Sequence, residues 1–522
     1  MVDFLKKRWV LLLVLITFVL CKLPHLQVAY YWDESWPYAV AIKAMFNHGP
    51  SLMPGVLDPE FSRGHPLFFH AAAATWMQLF GDSHVSVHSF ALLISLLLLV
   101  VVYEAGLKLF DERVACISII LVATQVIFFV QSAFLLPEML VAFLSFLSIY
   151  AYTRQKYLVV AVSLAMLFYT KESGLITGFV IGIHALIMLF NRSIPLIVRL
   201  RGVMSVAVPC VLIGIFFLIQ KQVHGWYIFP LHSDLIEHKW DSFWYCFQVN
   251  ALTTMFERDN RYMYFLLLSA LSILAAVIKK NYWYLILFFP CIVIGYCLID
   301  KDLVRILSGV PFLFLVILSV AATLHVFTKL NVFETGQQKQ FVVLLFVFIF
   351  CFLCFSSTIF FTPRYLLTTI VSVLFITSVL FAALIKRTFK HVYYAVLVLI
   401  LLTGVYSFKT SDSYGDADMG AFDAIDVQQH VVDYMEQNKY YDKAIGCKFL
   451  GFKNLTEVRC GFLRSGRAFT NVKWDINGYT DYAIFDNIEN DARHSRVKKD
   501  TTLKLVYRYQ KGKMWAEVYG RK

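Results

Sequence analysis

Charge is scarce in this chain: only 16% of its residues are Asp, Glu, Lys or Arg, against roughly a quarter in soluble domains. Hydrophobic residues reach 59% and aromatic residues 16%, so an ordinary soluble fold is excluded and a polytopic membrane protein is implied. A glycine-rich phosphate loop is also missing, and every stretch assigned below to the cytoplasm is shorter than about twenty residues, which leaves no room for a nucleotide-binding domain. No internal repeat pairs two halves in the manner of many transporters. No small-residue cleavage site follows "MVDFLKKRW" and "VLLLVLITFVLC", so the first segment reads as a retained signal anchor.

The net charge of +12 does not mark a nucleic-acid binder, because the basic residues cluster in short loops between apolar runs. Runs near the 20 or so residues needed to cross a bilayer fall at 9–23, 85–109, 114–136, 139–153, 157–170, 174–190, 202–220, 261–278, 282–299, 303–326, 341–360, 365–385 and 391–408, thirteen in all. An odd number puts the termini on opposite faces. The basic clusters "KKR", "RQK", "NRSIPLIVRLR", "KK" and "KRTFK" all fall on one side, which places the N-terminus in the cytoplasm. The outer face then carries loop 24–84, loop 221–260, the turns at 137–138, 171–173, 300–302 and 361–364, and the tail from about 409.

Within the first outer loop, "DESWPYAVAIKAMFNHG" and "HPLFFHAAAATWMQLFG" read as two helices lying along the interface. The tail has ordinary polarity. It opens with a helix-like "FDAIDVQQHVVDYMEQN" and continues with strand-like "KAIGCKFL", "DYAIFDN", "LKLVYRYQ" and "MWAEVYG", the last two joined by "KGK". A transmembrane domain over 1–408 and a small outer α/β domain over 409–522 are therefore expected. Eight of the ten cysteines lie in apolar runs or near 246, while Cys447 and Cys460 lie in the tail, where an oxidising compartment would let them pair.

An enzyme acting on the outer face of such a protein must receive its activated substrate through the membrane, and a polyprenyl-phosphate-linked sugar meets that requirement. A departing lipid phosphate carries its own charge, so one carboxylate suffices as base on the acceptor hydroxyl while cations stabilise the phosphate. The competing class is a transporter or lipid flippase, against which stand the odd span count and the absence of repeat halves.

The ordered set "WDESWPYAVAIKAMFNHG", "RGHPLFFHAAAATWMQLFG", "LLPEMLVAFLSF", "LFYTKESGLI" and "TPRYLLTTI" resembles the GT-C glycosyltransferases, in particular the group that includes lipid A aminoarabinose transferase and the bacterial relatives of protein O-mannosyltransferases. The resemblance runs over most of residues 1–408. It implies a GT-C fold, a polyprenyl-phosphate sugar donor such as an undecaprenyl lipid, no nucleic-acid partner, and location in a bacterial inner membrane with a periplasmic C-terminus. The acceptor it implies is lipid A or core lipopolysaccharide, another surface glycan, or protein hydroxyls in protein glycosylation. Asp33 matches the acid that these enzymes use as base, with Glu34 beside it; the alternative is that Asp33 caps a helix. Arg63, His65, Lys171 and Arg364, with Tyr365, are expected to form the cationic site for the donor phosphate. Gly64-His65-Pro66 stands where the aminoarabinose transferase carries an acidic-basic pair, which leaves a divalent metal open, with His70, His84, His88, His224 and His232 as candidate ligands. The "DAD" at 416–418 reads as solvated helix capping, and "NLT" at 454–456 has no role in a bacterium.

Two charged residues stand out by arithmetic. Glu138 lies sixteen residues from Arg154, and Lys171 lies fifteen from Lys156, roughly 22–24 Å of helix against a hydrocarbon core near 30 Å. Both fall short of the outer surface at similar depth on neighbouring antiparallel spans, so they are expected to line the floor of a polar donor cavity and to pair. The orientation is checked by single-cysteine labelling with an impermeant maleimide: positions in 24–84 and in 409–522 react from outside, and positions in 191–201 do not.

Overall fold

The computed structural model describes residues 2–236, 239–287, 310–329, 331–359, 361–386, 388, 390–474, 480–489, 491–500 and 502–522. Lipid offers no hydrogen bonds to a backbone, so the apolar runs close their own as helices. Eight helices among the described residues are long and apolar enough to cross a membrane: 8–25, 84–110, 172–189, 196–224, 262–279, 336–356, 363–385 and 391–410. Shorter apolar helices occupy Glu138–Thr153, Tyr157–Phe168 and Ile317–Thr328. The expected span 282–299 lies outside the described residues from 288 onward, as do the turn 300–302 and the first part of 303–326.

The expected span 114–136 is divided into helices Glu112–Ala123 and Val126–Gln131. Buried polar groups explain the break. Gln125 Nε2 donates to the Leu121 carbonyl at 2.9 Å, and Arg261 Nη1 donates to Gln125 Oε1 at 3.0 Å and to Asp259 Oδ2 at 2.8 Å. Arg261 is one of the largest fully buried side chains among the described residues, and it ties the break to the segment ahead of helix Tyr262–Lys279.

One helix stands out among the eight. In the most apolar 18-residue window of segment 363–385, 94% of the residues are buried within the protein, against 17–61% for the other seven. Pro363 sits in its opening turn, where a missing N–H costs nothing, and Arg364 follows, so an arginine stands at the N-terminal end of the most enclosed of these eight helices.

Loop 24–84 forms a 3-10 turn at Trp32–Glu34 and helices Tyr38–His48, Pro59–Ser62 and Phe68–Phe80. Helices Tyr38–His48 and Phe68–Phe80 pack together through small residues, Ala39, Ala41, Ala73 and Ala74, all buried. The Phe68 N–H donates to the Tyr169 carbonyl at 2.6 Å, which fastens this loop to the turn that carries Lys171.

Beyond the last apolar helix, helix Gly420–Gln437 packs across a five-stranded sheet. The strands are β1 (Ile445–Gly446), β2 (Val472–Lys473), β3 (Tyr482–Asp486), β4 (Leu503–Lys511) and β5 (Met514–Arg521), in the order β2-β1-β3-β5-β4. β1 is parallel to β2 and β3, whereas β5 is antiparallel to β3 and β4. Gly512, at φ +54°, makes the tight turn of the last hairpin. Cys447 and Cys460 are both buried and both free thiols.

Arg261→Ala removes the cation from a buried carboxylate and is expected to lower stability by about 3–5 kcal/mol, read as a fall in the thermal midpoint of the detergent-solubilised protein.

Candidate active site

The site is built around Arg364. Its side chain is only 5% exposed, and three carboxylates surround it: Nη2 bonds to Asp33 Oδ2, Nη1 bonds to Asp416 Oδ2, and Nε faces Glu138 Oε1 at 3.5 Å. Lys171 Nζ donates to the same Glu138 oxygen at 2.8 Å. The Tyr365 ring lies 4.2 Å below Lys171 Nζ and 5.4 Å from the Arg364 guanidinium carbon, so an aromatic face supports both cations. Asp33, Glu138, Lys171, Arg364 and Tyr365 are thus brought together from four separate stretches of chain.

Two further features mark this cluster. Asp33 is 40% exposed on its side chain, while Glu138 and Arg364 are buried. Arg364 Nε and Glu138 Oε2 are buried without a hydrogen bond, and unsatisfied buried polar groups of this kind are uncommon enough to need a reason. Tyr38 is buried close to the cluster, where desolvation pushes its phenol well above the ordinary range.

Glu34 is the neighbour of Asp33 in sequence and lies elsewhere. Its side chain is 0% exposed and accepts from the Leu135 N–H at 2.6 Å and the Tyr31 N–H at 3.3 Å, with His88 Nε2 at 2.8 Å. His88 Nδ1 in turn faces the Leu26 carbonyl at 2.9 Å. Glu34 therefore knits loop 24–84 to the segment before Glu138. Asp33 does not cap a helix: helix Tyr38–His48 begins four residues after the 3-10 turn ends, and its N-cap position is Pro37.

His65 and Arg63 lie beside this cluster. His65 Nδ1 is 2.7 Å from Glu172 Oε2, and its ring is 4.8 Å from that of His232. Burial, reinforced by His65, lowers the His232 imidazole to about 4. Arg63 occupies the left-handed region at φ 49°, and Gly64 follows at φ +68° with the Trp226 and Phe229 side chains where a Cβ would stand. Only glycine admits that approach of loop 221–236. His70 is stacked on Tyr38 at 5.7 Å, and burial lowers its imidazole to about 3.

No group of three or more His, Cys, Asp or Glu residues arranged to hold a metal ion occurs among the described residues. The candidate histidines disperse: His84 packs on Tyr30 at 4.5 Å, His88 bonds Glu34, and His224 stacks on Trp226 at 5.1 Å. The expectation that "DAD" at 416–418 is a solvated cap is corrected. Asp416 and Asp418 are buried and paired with Arg364 and Arg258, because the chain leaving the last apolar helix folds back onto those residues. Glu172 also went unremarked in the sequence, although it adjoins Lys171 in "KES".

Over residues 64–217 the chain matches the family model described as dolichyl-phosphate-mannose-protein mannosyltransferase. Among solved structures it is similar to ArnT from Cupriavidus metallidurans in the apo state, at 13% identity and a TM-score of 0.51, over 98% of each chain. It is also similar to the same protein bound to undecaprenyl phosphate, at 14% identity and a TM-score of 0.49, over 97% of each chain. No curated protein sequence matches. The chain has the GT-C glycosyltransferase fold. The matched segment begins after Asp33 and ends before Arg364 but contains His65, Glu138 and Lys171, and together with the GT-C fold it supports a glycosyltransferase.

Within this GT-C frame, Glu34→Ala leaves the Leu135 N–H and His88 without their acceptor, at about 1–3 kcal/mol for each buried group. A clear drop in thermal midpoint is expected, most of it recovered by Glu34→Gln, whereas Asp33→Asn leaves the midpoint nearly unchanged.

Proposed function

We propose that this protein transfers a sugar from a polyprenyl-phosphate donor to a hydroxyl acceptor at the outer face of a bacterial inner membrane. In this reading Asp33 is the general base, and Arg364 and Lys171, backed by Tyr365, hold the donor phosphate with Arg63 and His65 at the edge. Glu138 forms the cavity floor and keeps Lys171 in place. The acceptor is a lipid A or core sugar, a surface glycan or a protein side chain. Residues 1–408 form the transmembrane catalytic domain with a cytoplasmic N-terminus, and 409–522 form a periplasmic domain.

The observation that carries the reading is the guanidinium at the outer end of the central helix, bonded on one side to a half-exposed carboxylate and left with an unsatisfied N–H on another. A lipid phosphate is the ligand that such a donor lacks. A membrane-bound donor also suits a sequence whose short cytoplasmic stretches leave no room for a nucleotide-binding domain.

In the reaction, the acceptor oxygen forms a bond to the anomeric carbon as the bond from that carbon to the phosphate oxygen breaks. The acceptor proton passes to Asp33, and the electron pair leaves on the lipid phosphate. Arg364 and Lys171 stabilise the charge that collects there, in a site closed enough for the interaction to be strong. Because the leaving group needs no proton, one carboxylate is enough.

The test is release of lipid phosphate from short-chain polyprenyl-phosphate sugars by the purified protein in nanodiscs. Asp33→Asn is expected to lower kcat by about 10²–10⁴-fold with donor binding within a few-fold of wild type. Near-normal turnover in a folded Asn variant would remove Asp33 as the base, and movement of intact donor without release would identify a flippase.

A further inference from the structure

The segment 411–418, between the last apolar helix and the C-terminal sheet, is bound to four separate parts of the outer face. The Tyr31 hydroxyl donates to the Tyr414 carbonyl at 2.7 Å, just ahead of the turn that carries Asp33. Gln131 Nε2 donates to the Asp416 carbonyl at 2.7 Å, and Arg258 Nε donates to Asp418 Oδ1 at 3.2 Å. The Asp416 carboxylate takes Arg364 Nη1. Asp416 is therefore held through its backbone by one helix while its side chain grips another.

The three carboxylates around Arg364 differ in access. The Asp416 side chain is 10% exposed and that of Glu138 4%, against 40% for Asp33. A ligand entering from outside can displace the guanidinium from Asp33 but not from Asp416. Among the described residues three carboxylates face two cations, Arg364 and Lys171, so the guanidinium has competing attractions, and the fixed one decides its resting place.

We propose that Asp416 is a positioning residue: it anchors Arg364 through Nη1 so that Nη2 can pass from Asp33 to the donor phosphate, which frees the Asp33 carboxylate to accept the acceptor proton. The inference rests on the roles given above to Asp33 and Arg364. No bond is made or broken at Asp416; the guanidinium pivots on it. Without the anchor, Arg364 closes onto Asp33 and Glu138 and keeps the base occupied, so the chemical step suffers more than donor binding.

The experiment compares Asp416→Asn, Asp416→Glu and Asp418→Asn in the full-length protein in nanodiscs. Asp418 serves as the control, since it pins the same segment through Arg258 without touching Arg364. Asp416→Asn is expected to lower kcat about a hundredfold, the scale of a small misplacement in an active site, with donor KM within about threefold; Asp416→Glu recovers most of the loss. Asp418→Asn lowers the thermal midpoint but keeps kcat within about threefold. Hydrogen exchange over 362–367 rises in Asp416→Asn alone. Unchanged kcat in Asp416→Asn, or equal losses in both Asn variants that follow their midpoints, overturns the proposal. If wild type releases no lipid phosphate, the functional reading fails by itself, and exchange still decides the anchor: no selective rise over 362–367 refutes it.

Discussion

Burying a guanidinium at one end of an apolar helix is tolerable only if opposite charge surrounds it, since an isolated ion taken from water costs several kcal/mol. Arg364 meets that condition with Asp33, Glu138 and Asp416. These residues come from loop 24–84, the start of a short helix and the segment after the last one. The helix ends on this side of the bundle therefore converge on one point, and the loops there are arranged around that convergence. The Phe68 N–H to Tyr169 carbonyl bond, the Glu34–His88 contact and the Tyr31–Tyr414 bond hold these segments where the charges can meet.

Helix length bears on the cluster as well. Helices Glu138–Thr153 and Tyr157–Phe168 are too short to span a full hydrocarbon core. Lys171 and Arg364 share one carboxylate and one aromatic ring within the bundle. Charges as buried as Glu138 and Arg364 meet little competing water, and such preorganised electrostatics do most in a poorly solvated site.

Adjacent residues take opposite parts because of local geometry. In a 3-10 turn, with three residues per turn, consecutive side chains point about 120° apart. Trp32–Glu34 is such a turn, so Asp33 is presented to Arg364 and the open side while Glu34 is driven into the packing beneath. The same two carboxylates in an extended strand would have pointed to opposite faces, and in neither case would both enter one site.

Much of this was legible in the residues. Apolar run lengths announce helices because lipid leaves the backbone no other partner, and the alternation in "DYAIFDN", "LKLVYRYQ" and "MWAEVYG" announces strands, which form β3, β4 and β5. The pairing of Glu138 with Lys171 is expected from counting back to the short "RQK" turn, a local measure over 33 residues, and the two are in contact. What no local spacing contains is pairing across long separations. Asp33 and Arg364 are 331 residues apart, and Arg364 and Asp416 are 52 apart. Whether an acid near the end of a helix is a solvated cap or a buried counter-ion depends on where the chain folds back afterwards, so Asp416 was read as the first and is the second. The dispersal of the histidines and the burial of Glu34 belong with it, because residue type sets what a side chain is able to do, and only packing sets what it faces.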